Sequence, residues 1–315
     1  MKKKLISIII PLLNEEKNIP LVYDALREVW VKLPTYEYEF IFVNDGSTDH
    51  SALAIAALAA KDKAVKCIEF SRNFGKEMAT TAGIEAATGD AVMMLDADLQ
   101  HPPLRIPDFV SRWERGAEVV VGMRTHNASD RMVTRVGSKI FHAISGLISE
   151  TSINKGETDF RLIDRVVVNA FKQLPERERM TRSLINWLGF KKEFVEFEAP
   201  ARLHGDAKYS TSKLIHLALY SFVSNSLLPL RLAGWLGLCI TFLSGLLGIA
   251  VFLERYIFND AFSWHVSGSA QLAIINVFLI GIVLMALGII ALYIGKIHGE
   301  VAGRPLYVVR KRMNF

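Results

Sequence analysis

The sequence predicts an α/β fold: a mostly parallel sheet covered by helices, then an interfacial helix and a two-helix transmembrane hairpin. Three observations carry this. Over the first ~130 residues, short β-branched runs alternate with stretches of helical periodicity. Polar, turn-forming clusters fall at the carboxyl end of each run. The last third of the chain holds two long stretches without Lys, Arg, Asp or Glu.

In order, residues 6–11 are an apolar strand and residues 19–31 repeat apolar side chains at helical spacing. Residues 40–44 form a second strand, and 49–60 a helix favoured by its Ala and Leu content. Residues 65–70 are a third strand, 78–87 a helix, 91–95 a fourth strand and 119–122 a fifth. Strands alternating with helices build a sheet covered on both faces, and ligands of such sheets sit at the carboxyl ends of the strands. This first domain occupies residues 1–210, its last part, 156–209, being mixed and basic. Residues 211–230 read as a helix with Leu214, Ile215, Leu217, Leu219, Phe222 and Val223 among small polar residues. It either lies in a membrane interface or packs as an ordinary helix.

Hydrophobic residues make up 51% of the chain, and the excess lies in two runs, 232–253 and 261–295. Each supplies the ~20 apolar residues that cross a bilayer, so a hairpin is expected at 231–297, with spans near 232–254 and 271–295. The intervening loop holds Glu254, Arg255 and Asp260. Lys208, Lys213 and Arg231 precede the hairpin, and Lys296, Arg304, Arg310, Lys311 and Arg312 follow it. The positive-inside rule then puts the first domain and the basic tail, 298–315, in the cytoplasm of a multi-pass inner-membrane protein. The net charge of +5 fits a protein seated on anionic lipid. No basic stripe interleaved with aromatic residues argues for nucleic acid. Cys67 and Cys239, expected on a strand and in a span, make neither a disulfide framework nor a zinc site. The Lys-rich start resembles a signal peptide but lacks a small-residue cleavage site, and polar residues 14–18 follow at once.

The most informative run is Met93-Met94-Leu95-Asp96-Ala97-Asp98-Leu99-Gln100. Side chains in a strand alternate faces, so Asp96 and Asp98 are expected to point the same way off the fourth strand. With Gln100 they suit a hard cation gripping a diphosphate, because Mg²⁺ takes one or two carboxylates plus phosphate oxygens. A strand end running into a solvated turn has the same pattern. Asp45 can accept hydrogen bonds from a uracil imide or a ribose, and Gly46 allows a tight turn against a ligand. The run Asp45 to Asp49 is equally a turn leading into an N-capped helix. Arg72 and Lys76 either offset phosphate charge or decorate a solvated basic turn.

Together, Ile10-Pro11-Leu12-Leu13-Asn14-Glu15-Glu16, Val43-Asn44-Asp45-Gly46-Ser47-Thr48-Asp49, Ser71-Arg72-Asn73-Phe74-Gly75-Lys76-Glu77 and Leu95-Asp96-Ala97-Asp98-Leu99-Gln100-His101-Pro102-Pro103 resemble glycosyltransferase family 2. Within it they look like the polyisoprenyl-phosphate hexose transferases, of the dolichol-phosphate mannose synthase and bactoprenol glucosyltransferase type. The resemblance continues through residues 156–165, 174–177 and 303–307, and so covers nearly the whole chain. It implies a GT-A fold, a UDP-sugar donor, a divalent metal (Mg²⁺ or Mn²⁺), inversion at the anomeric carbon and a polyprenyl (undecaprenyl) phosphate acceptor. The product would donate its sugar to a cell-surface glycan. It also implies a role for each matching residue. Pro11, Asn14, Glu15, Asp45, Ser71, Asn73, Lys76 and Asp96, with Arg202 and Lys208, would bind the nucleotide sugar. Asp96, Asp98 and Gln100 would hold the metal, and Asp98 and Asp159 would be catalytic. Arg124 and Ser138 would bind the acceptor phosphate with Arg131 or Arg135, since Thr134 stands where the family usually has Arg. Ala207 replaces a usual Ser or Thr in the loop of Arg202 and Lys208.

A lipid monophosphate, with a second pKa of about 6, is mostly ionised at neutral pH. Asp159 is therefore expected to orient the acceptor or finish deprotonating it, a smaller task than activating a hydroxyl. Glucose is the first donor considered, with GDP-mannose, UDP-GlcNAc and UDP-galactose as alternatives. A processive polysaccharide synthase is the other enzyme reading, but Arg182 and Trp187 lack the Q-x-x-R-W spacing. A transporter is disfavoured because neither expected span carries an ionisable acid or a Lys or Arg. A homo-oligomer remains open.

Overall fold

The computed structural model of the chain describes residues 3–125, 156–177, 179–198, 253 and 268–315. The chain divides into two compact units, Met1–Lys208 with Arg304–Phe315, and Tyr209–Gly303.

The first unit runs β1 (Lys4–Leu12), α1 (Asn18–Val31), β2 (Tyr36–Asn44), α2 (Ser51–Lys61), β3 (Val65–Phe70), α3 (Lys76–Ala86) and β4 (Ala91–Met94). A short 3₁₀ turn then leads into α4 (Ile106–Glu114) and β5 (Val119–Arg124). After the undescribed segment come β6 (Glu157–Asp164), α5 (Arg165–Lys172), α6 (Thr181–Trp187) and β7 (Lys192–Phe197); β8 (Val309–Met313) completes the unit. These strands form one sheet in the order β7-β5-β6-β4-β1-β2-β3-β8. β1 lies parallel to β2 and β4, β2 to β3, and β5 to β7. β6 runs antiparallel between β4 and β5, and β8 antiparallel along β3.

The core lies on both faces. Ile6, Ile8 and Ile10 pack with Val22 and Leu26 of α1, Ile55 of α2 and Phe109 of α4. Ile9, Ile41 and Val43 pack with Ala82 of α3 and Val167 and Phe171 of α5. A strand buried on both faces needs no polar alternation, which is why β1 reads as a continuous apolar run. The expected strands and helices through residue 122 are present. Six described elements were not anticipated: α4, β6, α5, α6, β7 and β8. α4 buries Ile106, Phe109, Val110 and Trp113 at helical spacing. β8 forms from the stretch expected to be a basic tail.

The topology creates a crevice. The chain steps from β1 to β2 to β3 in one direction, then returns to the far side of β1 to lay down β4. Ligands of open α/β sheets bind at such a reversal, outside the carboxyl ends of the strands. Pairing between β1 and β4 runs from Ile6–Ala91 to Ile9–Met94 and stops. Two residues later β1 carries Pro11, which has no N–H to offer a further neighbour.

Beneath the crevice, buried Glu39 ties the sheet together. It accepts hydrogen bonds from Ser7 Oγ (2.5 Å), Lys66 Nζ (2.6 Å) and the Thr88 amide (2.7 Å). Burial opposes its charge, but these partners hold its carboxyl below the ordinary value of 4.5. The stabilisation is therefore present above that value and fades as pH falls through the lower folded one. Glu39→Ala leaves the Lys66 ammonium without its partner, and should cost about 3–5 kcal/mol, read as a lowered thermal midpoint at neutral pH. A shift of under a degree would contradict the bridging role.

In the second unit, residues Gly268–Val301 form one helix, α7. Crossing a bilayer takes about 20 consecutive apolar residues in one helix. Among the described residues no helix is long and apolar enough to cross a membrane. The expected hairpin is not supported on that finding, and the expected placement as a multi-pass inner-membrane protein is corrected by it. The expected interfacial helix, 211–230, and the first expected span, 232–254 apart from Leu253, lie outside the described residues.

Candidate active site

The crevice is lined from β1, α3, the β4 turn, β6 and α6, with Pro11, Lys76, Asp96, Asp159, Arg161 and Arg182 among its walls. Its β1 side is a stapled turn. Asn14, at a left-handed φ of 56°, receives the Thr48 amide on Oδ1 (2.8 Å) and gives its own amide to Ser47 Oγ (2.9 Å). The Glu15 amide donates to Ser51 Oγ (3.0 Å), while its carboxylate accepts from Asn18 Nδ2 (2.6 Å). Asn14 and Glu15 thus fix the segments after β1 and β2 to each other.

Asp45, at the end of β2, is 3% exposed. Its two carboxylate oxygens accept the amides of Phe74 (2.7 Å) and Gly75 (2.9 Å). Burial raises its pKa, and the two amides oppose that shift. The residue so placed suspends the 71–75 loop from β2. Gly46, at φ 70°, lies under the same loop, and a Cβ there would run into the backbone of Arg72 and Asn73. Asn73 is exposed, and Arg72 stacks over the Phe74 ring at 4.6 Å.

The loop delivers Lys76 to the centre of the crevice. Its ammonium lies 2.6 and 2.8 Å from the two oxygens of Asp96 and 3.1 Å from Asp159 Oδ2. Arg182, from α6, donates twice to Asp159 Oδ1, through Nε at 3.0 Å and a terminal nitrogen at 2.7 Å. Burial opposes the charge on Lys76, but Asp96 and Asp159 outweigh it and raise its pKa. For Asp159 burial likewise pushes upward, while Lys76 and Arg182 win and hold the carboxyl well below the usual range. Asp159 is therefore a fixed anion between two cations, poorly suited to collecting a proton.

The expected strand geometry of the two aspartates needs correction. β4 ends at Met94, and Ala97 and Asp98 form a turn that passes Leu99 at a left-handed φ of 58°. Strand alternation thus does not aim the pair. Asp96 lines the crevice, and Asp98 Oδ1 accepts the Gln100 amide at 3.1 Å. His101 buttresses the turn. Its Nδ1 accepts the Asp96 amide (3.2 Å), and its ring stacks on Phe160 at 5.1 Å. Burial holds this imidazole below its usual pKa, which keeps Nδ1 free to accept.

Asp96, Asp98 and Gln100 offer only hard oxygen donors, a chemistry that fits Mg²⁺ or Mn²⁺. Among the described residues no three His, Cys, Asp or Glu side chains gather around one point. The Lys76 ammonium on Asp96 shows that this carboxylate already attracts a cation.

Other groups were not anticipated. Arg161, fully buried, donates to Glu157 (3.0 Å), Asn186 (3.0 Å) and the Thr158 carbonyl (3.0 Å), and so braces the start of β6 around Asp159. Glu77 accepts both the amide and the hydroxyl of Thr181, locking α3 to α6. Glu77, Glu157 and Arg161 lie in the stretches of family resemblance, and the i, i+4 spacing of Glu157 and Arg161 is the local hint of their pairing. Arg124 is the last residue of β5, between β6 and β7, and its amide donates to the Gly156 carbonyl (2.9 Å). Ser71 begins the suspended loop. Arg131, Arg135, Ser138, Arg202 and Lys208 lie outside the described residues.

Residues 7–171 match the family Glycosyl transferase family 2. The chain is also 37% identical to a prophage bactoprenol glucosyl transferase homolog of Escherichia coli, over 97% of this chain and 98% of that one. The chain belongs to glycosyltransferase family 2. This family 2 glycosyltransferase is 40% identical to an uncharacterized glycosyltransferase of Synechocystis, over 96% of this chain and 94% of the other. It is 37% identical to the bactoprenol glucosyl transferase of Shigella phage SfII, over 97% of both. Among solved structures, glucosyl-3-phosphoglycerate synthase of Mycobacterium tuberculosis in complex with Mn²⁺, UDP-Glc and phosphoglyceric acid has a TM-score of 0.45 at 19% identity. It covers 69% of this chain and 76% of that one, a likeness too distant to support an argument. The GT-A α/β architecture with its mostly parallel sheet is the one expected, and the enzyme is a glycosyltransferase.

Proposed function

We propose that this enzyme transfers glucose from UDP-glucose to a polyprenyl phosphate with inversion at the anomeric carbon. The observation that carries this reading is the convergence of Asp96, from the turn after β4, and Asp159, from β6, on Lys76 at the sheet's topological reversal. The names of the E. coli and phage relatives support the lipid acceptor and the sugar.

In this reading the nucleotide lies over the stapled turn of Asn14 and Glu15 and the loop suspended from Asp45. Asp96, Asp98 and Gln100 would hold a divalent cation, which neutralises charge on the departing diphosphate. Lys76 adds a second positive charge on the same side, where charge develops as the C1–O bond breaks. An oxygen of the acceptor phosphate forms the new bond to C1 from the opposite face, and UDP leaves with the bonding pair. The attacking oxygen, already ionised, has no proton to shed. Arg182 and Asp159 shape the approach rather than accept a proton. Arg124, the last residue of β5, would bind the acceptor phosphate.

The test is a detergent-solubilised assay with labelled UDP-glucose, UDP-galactose, UDP-GlcNAc and GDP-mannose, with and without undecaprenyl phosphate. Label should enter a lipid product from UDP-glucose alone, and only when the lipid phosphate is present. Transfer without lipid, or preference for another donor, would overturn the reading.

A further inference from the structure

The sheet does not end at β3. Residues 307–313 return after α7 to lie along β3, register Cys67–Met313, Ile68–Arg312 and Glu69–Lys311, with an irregularity before Phe70–Val309. The contacts then continue past the strand into the loop that follows it. The Ser71 amide donates to the Val308 carbonyl (2.9 Å), and the Arg310 guanidinium donates to the Ser71 carbonyl (2.9 Å). The Tyr307 ring stacks on Phe70 at 4.8 Å and 17°, and Phe70 in turn meets Phe74 edge-on at 5.7 Å. The Tyr307 hydroxyl bonds Glu85 Oε2 of α3 (2.5 Å). Arg310 also reaches Glu69 at 3.5 Å.

The loop of residues 71–75 is therefore held from two sides. Asp45 takes its far end by the amides of Phe74 and Gly75, and the C-terminal strand takes its near end at Phe70 and Ser71. Lys76 follows directly, so the position of its ammonium over Asp96 depends on where the loop is fixed. A solvated tail would need none of these contacts. An edge strand needs the ladder alone, and the stack on Phe70 with both bonds to Ser71 goes beyond it.

We propose that the C-terminal segment, through Tyr307 and Arg310, is a positioning element of the donor site. It fixes the 71–76 loop in the geometry that receives the nucleotide diphosphate. This rests on the reading of the crevice as a UDP-sugar site. Neither residue touches the reacting atoms; both act through Ser71, Phe70 and Phe74. Ordering a loop before the ligand arrives lowers the entropy lost on binding. Its loss should weaken donor binding while leaving chemistry in the bound complex largely intact.

The experiment compares Tyr307→Ala, Tyr307→Phe and Arg310→Ala in the full chain, with two readouts. Hydrogen exchange of the 71–76 amides, without donor, reads the clamp itself; steady-state kinetics read its consequence. Tyr307→Ala should lose protection in the loop and raise the UDP-glucose KM about ten-fold, with kcat and acceptor KM within about three-fold of the parent. Tyr307→Phe keeps the stack and should recover most of the donor KM. Arg310→Ala, exposed and outside the core, should show the same direction more weakly, which covers the case of Tyr307→Ala failing to fold. An unchanged donor KM, or an equal fall in kcat for every variant, would overturn the proposal. A parent enzyme that binds no UDP-sugar would instead sink the functional reading, and the exchange data would still report on the clamp.

Discussion

Asp96→Ala should lower transfer by about three orders of magnitude at saturating donor and Mg²⁺, close to 4 kcal/mol of lost transition-state stabilisation at 1.36 kcal/mol per decade. Two losses combine. One carboxylate of the proposed cation site disappears, and an ion that neutralises a leaving diphosphate contributes several kcal/mol. Lys76 also loses the partner that it meets through both oxygens, and is left with Asp159 alone. Asp98→Ala should fall as far, because Asp98 is the second carboxylate of the proposed cation site and its bond to the Gln100 amide fixes the turn. Both side chains are partly exposed and sit outside the core, so the thermal midpoint should stay near the parent value. Single-turnover transfer measured beside thermal unfolding checks this. A fall of less than ten-fold in both variants, with folding intact, would remove the metal from the mechanism.

How much of this was legible in the sequence depended on whether a signal was local. β1 and β4 announced themselves because a strand buried on both faces is a run of apolar residues. The D-x-D spacing located the acidic turn, although its strand geometry was misjudged: β4 stops at Met94 and the chain turns before Asp98. Asp159 was reachable only through resemblance. Its place opposite Asp96 depends on β6 inserting antiparallel beside β4, with Met94 facing Arg161, and no local periodicity encodes such a pairing. Arg182 sits on a short helix with no pattern to distinguish it from a surface residue. Arg161 and Glu157 were hidden because fully buried charges violate the rule by which interiors are recognised. β8 is the instructive failure. Arg310, Lys311 and Arg312 suggested a solvated tail, yet Val309 and Met313 flank them on the half-buried positions of an edge strand, where basic side chains are a common guard against further pairing.

Asp159→Asn should reduce transfer by about ten- to a hundred-fold, less than loss of Asp96, and should leave the acid limb of the pH–rate profile where it was. In the folded protein the Asp159 carboxyl is ionised far below neutrality: burial resists the charge, and Lys76 and Arg182 overcome it. A group whose folded pKa is depressed below its ordinary 3.8 adds stability above that value and loses it only in strong acid. It thus has no titration to contribute between pH 5 and 9. The limb should instead follow the acceptor phosphate, whose second ionisation lies at about 6. With asparagine in place, Lys76 and Arg182 keep their charges but lose the anion that separates them, so the acceptor is held less well and the rate falls without a change of limb. Measuring kcat over KM for the lipid phosphate across pH 5 to 9 in parent and variant decides between orientation and base catalysis. A limb that vanishes or moves by a full unit in the variant would return the proton-accepting role to Asp159.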